Sequence, residues 1–109
     1  MRWYGRLRRS GEIAFVRRRG RRVDLETLSL YAAPGRNATL VAVTASKAVG
    51  GAVARNLIRR RIRGALDALG PAAGAGRRLV VVAKPAAASA PYGRLAADLR
   101  AGVGKLAAS

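Results

Sequence analysis

Apolar and polar positions change period several times along the chain, and each change marks an element. Ile13 and Val16 stand three apart behind Ser10-Gly11-Glu12. Ser10 can cap a helix there, and Glu12 meets the positive end of its dipole. Gly20 is a natural stop, so the spacing predicts a helix over about 11–19. A strand can begin around Val23. Thr27 to Ala32 then alternates, with Leu28, Leu30 and Ala32 on one face and Thr27, Ser29 and Tyr31 on the other. Pro34-Gly35-Arg36-Asn37 reads as a turn and Thr39 to Ala45 as a further strand, which predicts an antiparallel hairpin. A glycine pair, Gly50-Gly51, leads into a helix over about 52–69 that Gly70-Pro71 ends, and Ala72 to Gly76 reads as a loop. Leu79 to Ala83 is a continuous apolar run, as in a strand covered on both faces. Behind Ser89-Ala90-Pro91, Leu95, Leu99, Val103 and Leu106 form one helical stripe. The order α, two or three β, α, β, α predicts a single α+β domain over residues 1–109, without internal repeats.

The charge changes this picture from a generic small fold to one with a polyanionic partner. The 109 residues carry 22 Lys+Arg against 5 Asp+Glu, a net charge of +17. Only Lys47, Lys84 and Lys105 are lysines, so the positive groups are almost all guanidiniums, which bind phosphate in a fork and stack on bases. A GC-rich genome would favour Arg over Lys, but it would leave Asp and Glu available, so it does not account for the imbalance. Cys and His are both absent. That excludes a disulfide, a zinc site of the usual kind, and a Cys or His nucleophile or base. Five scattered carboxylates, Glu12, Asp24, Glu26, Asp67 and Asp98, show no clustered motif for a metal-dependent nuclease acting alone. No stretch reaches the ~18 apolar residues that span a bilayer, and no secretory signal follows the basic N-terminus. The chain reads as cytoplasmic, with no membrane partner.

The middle helix carries the strongest signal. Turned at about 100° per residue, Ile58, Ile62, Ala65 and Leu69 gather on one side, with Leu66 at the edge, while Asn56, Arg59, Arg60 and Arg63 gather opposite. A solvated polar face normally mixes signs. Here only Asp67 reaches an arginine, Arg63, by helical spacing, and unpaired like charges on a helix destabilise it. The row reads as a phosphate-binding face. A second basic block holds Arg2, Arg6, Arg8, Arg9 and Arg17 to Arg19, Arg21 and Arg22. Residues 1–9 read equally as a flexible basic arm and as a docked segment. Tyr31, on the polar side of its strand, reads equally as a ring for base stacking and as one packed under a helix.

With these residues in view, the chain resembles the protein subunit of bacterial ribonuclease P over nearly its whole length. Arg6-Leu7-Arg8-Arg9 with Val16 and Gly20 resembles the N-terminal helix region, Leu28-Ser29-Leu30-Tyr31 a strand, and Leu79 to Pro85 a later strand and its exit. The run from Ser46-Lys47 through Gly50, Ala52-Val53, Arg55-Asn56, Arg59-Arg60-Arg61 and Arg63 is similar to the family signature. The resemblance implies an αβββαβα two-layer sandwich, a ribosomal-protein-like fold with a left-handed βαβ crossover through the basic helix. It implies a catalytic RNA that removes the 5′ leader of precursor tRNA with a divalent metal, Mg2+, held mainly by RNA subunit and substrate. It also implies a monomeric protein in a 1:1 ribonucleoprotein, with no DNA partner. The catalytic RNA would be met by Lys47, Arg55, Asn56, Arg59, Arg60 and Arg63, and the leader by a cleft with Ile13, Arg17 and Tyr31. The chain departs from the pattern at Leu57, where the family has a second Arg after Asn, at Ala48 and Gly51, and at Ile13 and Arg17, commonly Phe. Tyr31 is then the ring left for stacking. The rival readings are a ribosomal or other structural RNA-binding protein, which would not stimulate tRNA cleavage, and a DNA-architectural protein, which would need a dimerisation stripe or a recognition-helix pair.

Overall fold

The computed structural model describes residues 3–35, 38–70 and 76–107. Its elements are β1 (Gly5–Arg6), α1 (Ser10–Arg19), β2 (Arg21–Asp24), β3 (Leu28–Pro34), β4 (Leu40–Ala45), α2 (Ala52–Leu69), β5 (Arg77–Ala83) and α3 (Tyr92–Ala107). The expected order is present, preceded by the short strand β1.

One five-stranded sheet runs β1-β4-β5-β3-β2. β5 lies between β4, to which it is parallel, and β3, to which it is antiparallel. The expected β3–β4 hairpin is therefore not formed. Leu79, Val81 and Ala83 of β5 pack toward one core while Val80 packs toward the other. A strand apolar on both sides is best covered in the middle of a sheet, and that demand outweighs the short β3–β4 connection. Of the predicted turn, Arg36 and Asn37 lie outside the described residues. Gly35 passes over the start of β5, its N–H donating to Gly76 O at 2.6 Å, where a Cβ would sit 3.0 Å from that oxygen. The hairpin that does form is β2–β3, with Arg22 opposite Tyr31 and Asp24 opposite Ser29. β4, α2 and β5 make the parallel crossover unit.

On one face of the sheet, α2 contributes Ile58, Ile62, Ala65 and Leu66 and α3 contributes Leu95, Leu99, Val103 and Leu106 to the main core. This is the expected sandwich of helices on sheet. α1 adds a partial layer on the other face, with Val16 packed on Tyr31, Ala33, Ala42 and Val80. The side of β3 that the sequence marks as polar is consequently buried. Thr27, just before β3, is sealed instead by Asp98 of α3, whose Oδ2 accepts the Thr27 N–H at 3.0 Å and its hydroxyl at 2.6 Å.

Two local expectations are corrected. Ser10 does not cap α1: Arg9 holds the cap position and Ser10 is the first helical residue, without a side-chain bond to the turn. The cap falls one residue earlier than the pattern predicts, because the carbonyl of extended Arg9 already accepts the first helical bond, from the Ile13 N–H at 3.0 Å. A free arm over residues 1–9 is also excluded from Trp3 onward. Gly5 and Arg6 pair with Leu40 and Val41, Tyr4 and Leu7 are buried, and the Trp3 indole N–H donates to Leu66 O at 2.7 Å, near the C-terminal end of α2. Apolar Trp3, Tyr4 and Leu7, interleaved with the arginines, tie the segment down.

Candidate nucleic-acid interface

The interface is built first by α2. A 3-10 turn over Lys47–Val49 leads to Gly50, whose φ of 147° suits glycine, and Gly51 begins the helix. With Ile58, Ile62, Ala65 and Leu66 fixed in the core, helical geometry turns Arg59, Arg63, Asn56 and Arg60 outward in succession. Asn56 and Arg60 are exposed, Arg59 and Arg63 are half-buried, and Lys47 is exposed on the turn before them. Arg55 lies where the row meets the core; its Nε is buried with no hydrogen-bond partner. Arg59 Nη2 donates to Asn56 Oδ1 at 2.6 Å, which orients one guanidinium without neutralising it.

Among the described residues, no carboxylate pairs with Lys47, Arg55, Arg59, Arg60 or Arg61. Arg63 and Asp67 are each engaged within the chain. The other acids are committed elsewhere: Glu12 to Arg78 at 3.9 Å, Asp24 to Arg22 at 3.0 Å and Lys84 at 3.8 Å, Glu26 to Arg94 and Asp98 to Thr27. Leu57, where the family pattern has Arg, is 43% exposed on a different flank, roughly 100° round the axis from the row. Losing a charge there does not interrupt the row.

α1 builds the second part. It crosses the sheet from β4 toward β2, with Ile13 and Arg17 on one flank and Phe15 on the other beside Arg78, whose Cζ is 5.2 Å from the Phe15 ring centroid. At the Ile13 end, a groove of about 380 Å3 is bounded by Arg6 and Arg8, by Val41 to Thr44 of β4, and by Arg59 and Arg63. At the Arg17 end, a cavity of about 510 Å3 is bounded by Arg17, Arg18, Arg22 and Tyr31. The Tyr31 ring is 7% exposed, with the Arg17 and Arg22 guanidiniums 5.7 and 5.5 Å from its centroid. Of the two readings of Tyr31, the packed one holds: its ring is covered, and the groups presented to the cavity are cations.

The structure thus brings Arg59 and Arg63 of the predicted helix row beside Ile13 of the predicted cleft, in one groove. It adds Arg6, Arg8, Arg18 and Arg22, which the sequence marks as part of the second basic block without assigning them to the site. The i, i+2 placing of Arg6 and Arg8 about buried Leu7 was the available signal for the first two.

The profile of the family described as Ribonuclease P matches residues 1–107. The chain belongs to the ribonuclease P protein family. It is 42% identical over 107 residues to the ribonuclease P protein component of Acidothermus cellulolyticus, an alignment covering 93% of this chain and 87% of that one. It is 40% identical over 115 residues to the component from Streptomyces bikiniensis, covering 93% and 90%. Among solved structures, the RNase P protein of Staphylococcus aureus superposes with a TM-score of 0.81 at 21% identity, covering 94% of each chain. That of Thermotoga maritima superposes with a TM-score of 0.81 at 14% identity, covering 92% and 96%. These two likenesses establish the fold, and the sequence relatives establish the family. As a ribonuclease P protein, the chain is one part of an endoribonuclease whose partner is the ribonuclease P RNA.

Proposed function

We propose that this subunit docks through the α2 row, with Lys47, Arg55, Asn56, Arg59, Arg60 and Arg63, onto phosphates of the ribonuclease P RNA. The cleft along α1, with Ile13, Arg17 and Tyr31, holds the single-stranded 5′ leader of precursor tRNA, and catalysis is carried by the RNA. The observation behind this is that Lys47, Arg55, Arg59 and Arg60 have no acidic partner among the described residues, and that their row meets the α1 cleft at a groove lined by arginines from both sides. A polyanion can follow that track from one surface to the other. The donor set offers no all-protein cage for Mg2+: among the described residues no three carboxylates come together, and Glu12, Asp24, Glu26 and Asp98 already serve the chain. In this reading the RNA and the substrate hold the ion, and the protein orients RNA phosphates and leader. The same reading puts one copy of the protein on one RNA, in the cytoplasm; no helix among the described residues is long and apolar enough to cross a membrane.

The test is maturation of precursor tRNA by the cognate RNA at limiting magnesium, with and without the protein. Stimulated leader removal, with a protein-to-RNA ratio of one by native mass spectrometry, is expected. Tight RNA binding without stimulation would support a structural RNA-binding role instead, and cleavage by the protein alone would refute RNA-borne catalysis.

A further inference from the structure

Tyr31 is the centre of a cluster that the helix row does not use. Arg22, opposite it in the β2–β3 register, lies against the ring with its Nε donating to Asp24 Oδ1 at 3.0 Å. Asp24 in turn accepts the Ser29 hydroxyl at 2.5 Å. Arg22 is therefore braced by a ring and a carboxylate, and its charge is partly answered. Arg17, from the last turn of α1, is braced by the ring alone and has no carboxylate among the described residues. With Ala14, Arg18 and Gly20 they line the cavity of about 510 Å3 between α1 and the hairpin. Apart from the phenol, every polar side chain in the lining is a hydrogen-bond donor.

A base entering this cavity meets guanidiniums, because the ring behind them is covered. A guanidinium plane stacks on a base and also donates in a fork. A fork is matched by an edge carrying two acceptors side by side, as guanine does with O6 and N7; adenine and cytosine each turn an amine toward it. Ile13, one helical turn earlier on the same flank, supplies no ring to compete. Resting on the leader-cleft reading above, we propose that Arg17, braced by Tyr31, is a specificity-determining residue that selects guanine at one position of the single-stranded RNA in the cleft.

The test uses the reconstituted ribonucleoprotein and a set of precursor tRNAs in which each leader position in turn is G, A, C or U. Competition between substrates gives the preference at each position. Guanine is expected to be favoured over adenine and cytosine at one position by about tenfold or more, the size of a bidentate contact. Arg17→Lys keeps the charge and removes the planar fork but can still donate to O6 and N7, so the ratio at that position should fall severalfold without reaching one. Arg17→Ala should abolish the preference at that position, with the salt dependence of leader binding, which counts phosphate contacts, nearly unchanged. Each ratio is internal to one variant, so a loss of stability does not imitate the effect, and the lysine variant covers a failure of the alanine one to fold. A flat profile in the unmodified protein, or an undiminished guanine preference in both variants, overturns the proposal. Equal binding of precursor and leaderless tRNA would defeat the leader-cleft reading as well, whereas a precursor preference with a flat base profile defeats guanine selection alone.

Discussion

Arg59 and Arg60 can be replaced together by alanine, and opposite signs are expected for stability and for RNA binding. The double change removes like-charge pairs at Arg55–Arg59, Arg59–Arg63 and Arg60–Arg63, each destabilising a helix by roughly 0.2–0.5 kcal/mol. Against that stand the exposed Arg59–Asn56 hydrogen bond and some packing of the half-buried Arg59 stem. The balance is between zero and about 1 kcal/mol in favour of the variant, a rise in melting temperature of no more than about 4–8 °C. No carboxylate is orphaned by the change, since among the described residues none pairs with either arginine.

On RNA the same variant loses two phosphate contacts, and the slope of log K against log salt should flatten by about 1.4–1.8. Between 50 and 200 mM salt those two contacts alone account for about a tenfold change in affinity. Fluorescence titration of the cognate RNA across that range, beside thermal unfolding of the free protein, reads both quantities. An unchanged slope would mean that α2 is not the docking surface. A fall of many degrees in melting temperature would mean that the row holds the fold together, and either result would refute the reasoning.

Asp24 is held below its ordinary pKa of 3.8, first by the Ser29 hydroxyl and then by the Arg22 guanidinium. A lowered carboxylate stabilises the fold above its unfolded pKa and loses that contribution as pH falls through the folded value. The melting-temperature gap between unmodified protein and Asp24→Asn should therefore be constant from about pH 7 to pH 5 and close in stronger acid; a gap that widens on acidification would contradict the assignment. In α3, Gly102→Ala and Gly104→Ala should differ in sign. A Cβ at 102 would overlap Leu30 Cδ1 and come within 3.0 Å of Leu25 Cδ2, costing about 1–3 kcal/mol, whereas nothing lies within 4 Å at 104 and the helix gains about 1 kcal/mol. Chemical denaturation of both variants decides it, and equal shifts would refute it. Trp3→Phe, which leaves Leu66 O without the indole donor, should cost about 0.5–1.5 kcal/mol in the same experiment; no loss would mean that the N-terminal segment is not pinned by that bond.

What the sequence made legible was local. The bounds of α2 and the stripe of α3 follow from spacing that a single helix imposes on itself, and Gly20 and Gly70 stop their helices where the pattern ends. The sheet order was not legible, because it depends on which strand needs cover on both faces rather than on which strands are neighbours in the chain. β5 decides that: its apolar run needs cover on both sides, and this outweighs a β3–β4 connection short enough for a hairpin. The docking of Trp3 to Leu7 was obscured for a different reason: the arginines between the apolar residues dominate the segment, although two of its anchors, Trp3 and Tyr4, are large rings. The part of the interface that sequence missed lies where distant segments meet, as Arg6 and Arg8 do with Arg59 and Arg63.

The five carboxylates sharpen the reading of the positive ones. Asp98 is buried in satisfying Thr27, Glu26 ties the β2–β3 turn to α3 through Arg94, Glu12 ties α1 to β5 through Arg78, and Asp24 sets Arg22 on the Tyr31 ring. Each joins elements or orients a side chain. Exposed pairs of this kind contribute little energy singly, so their value is geometric. Only Asp67 lies on α2, one turn beyond Arg63. A surface built for solubility would have spread acids among the α2 arginines at helical spacing, where they stabilise the helix. Here Asp24 and Glu12 brace the β2–β3 hairpin and α1 beside the cleft, and among the described residues Arg55, Arg59, Arg60 and Arg61 of α2 have no carboxylate partner. Since screening confines exposed charges to about 10 Å at ordinary salt, the docking proposed for that row requires a polyanion brought into contact with it, and in that proposal the folded position of α2 decides which RNA surface is met.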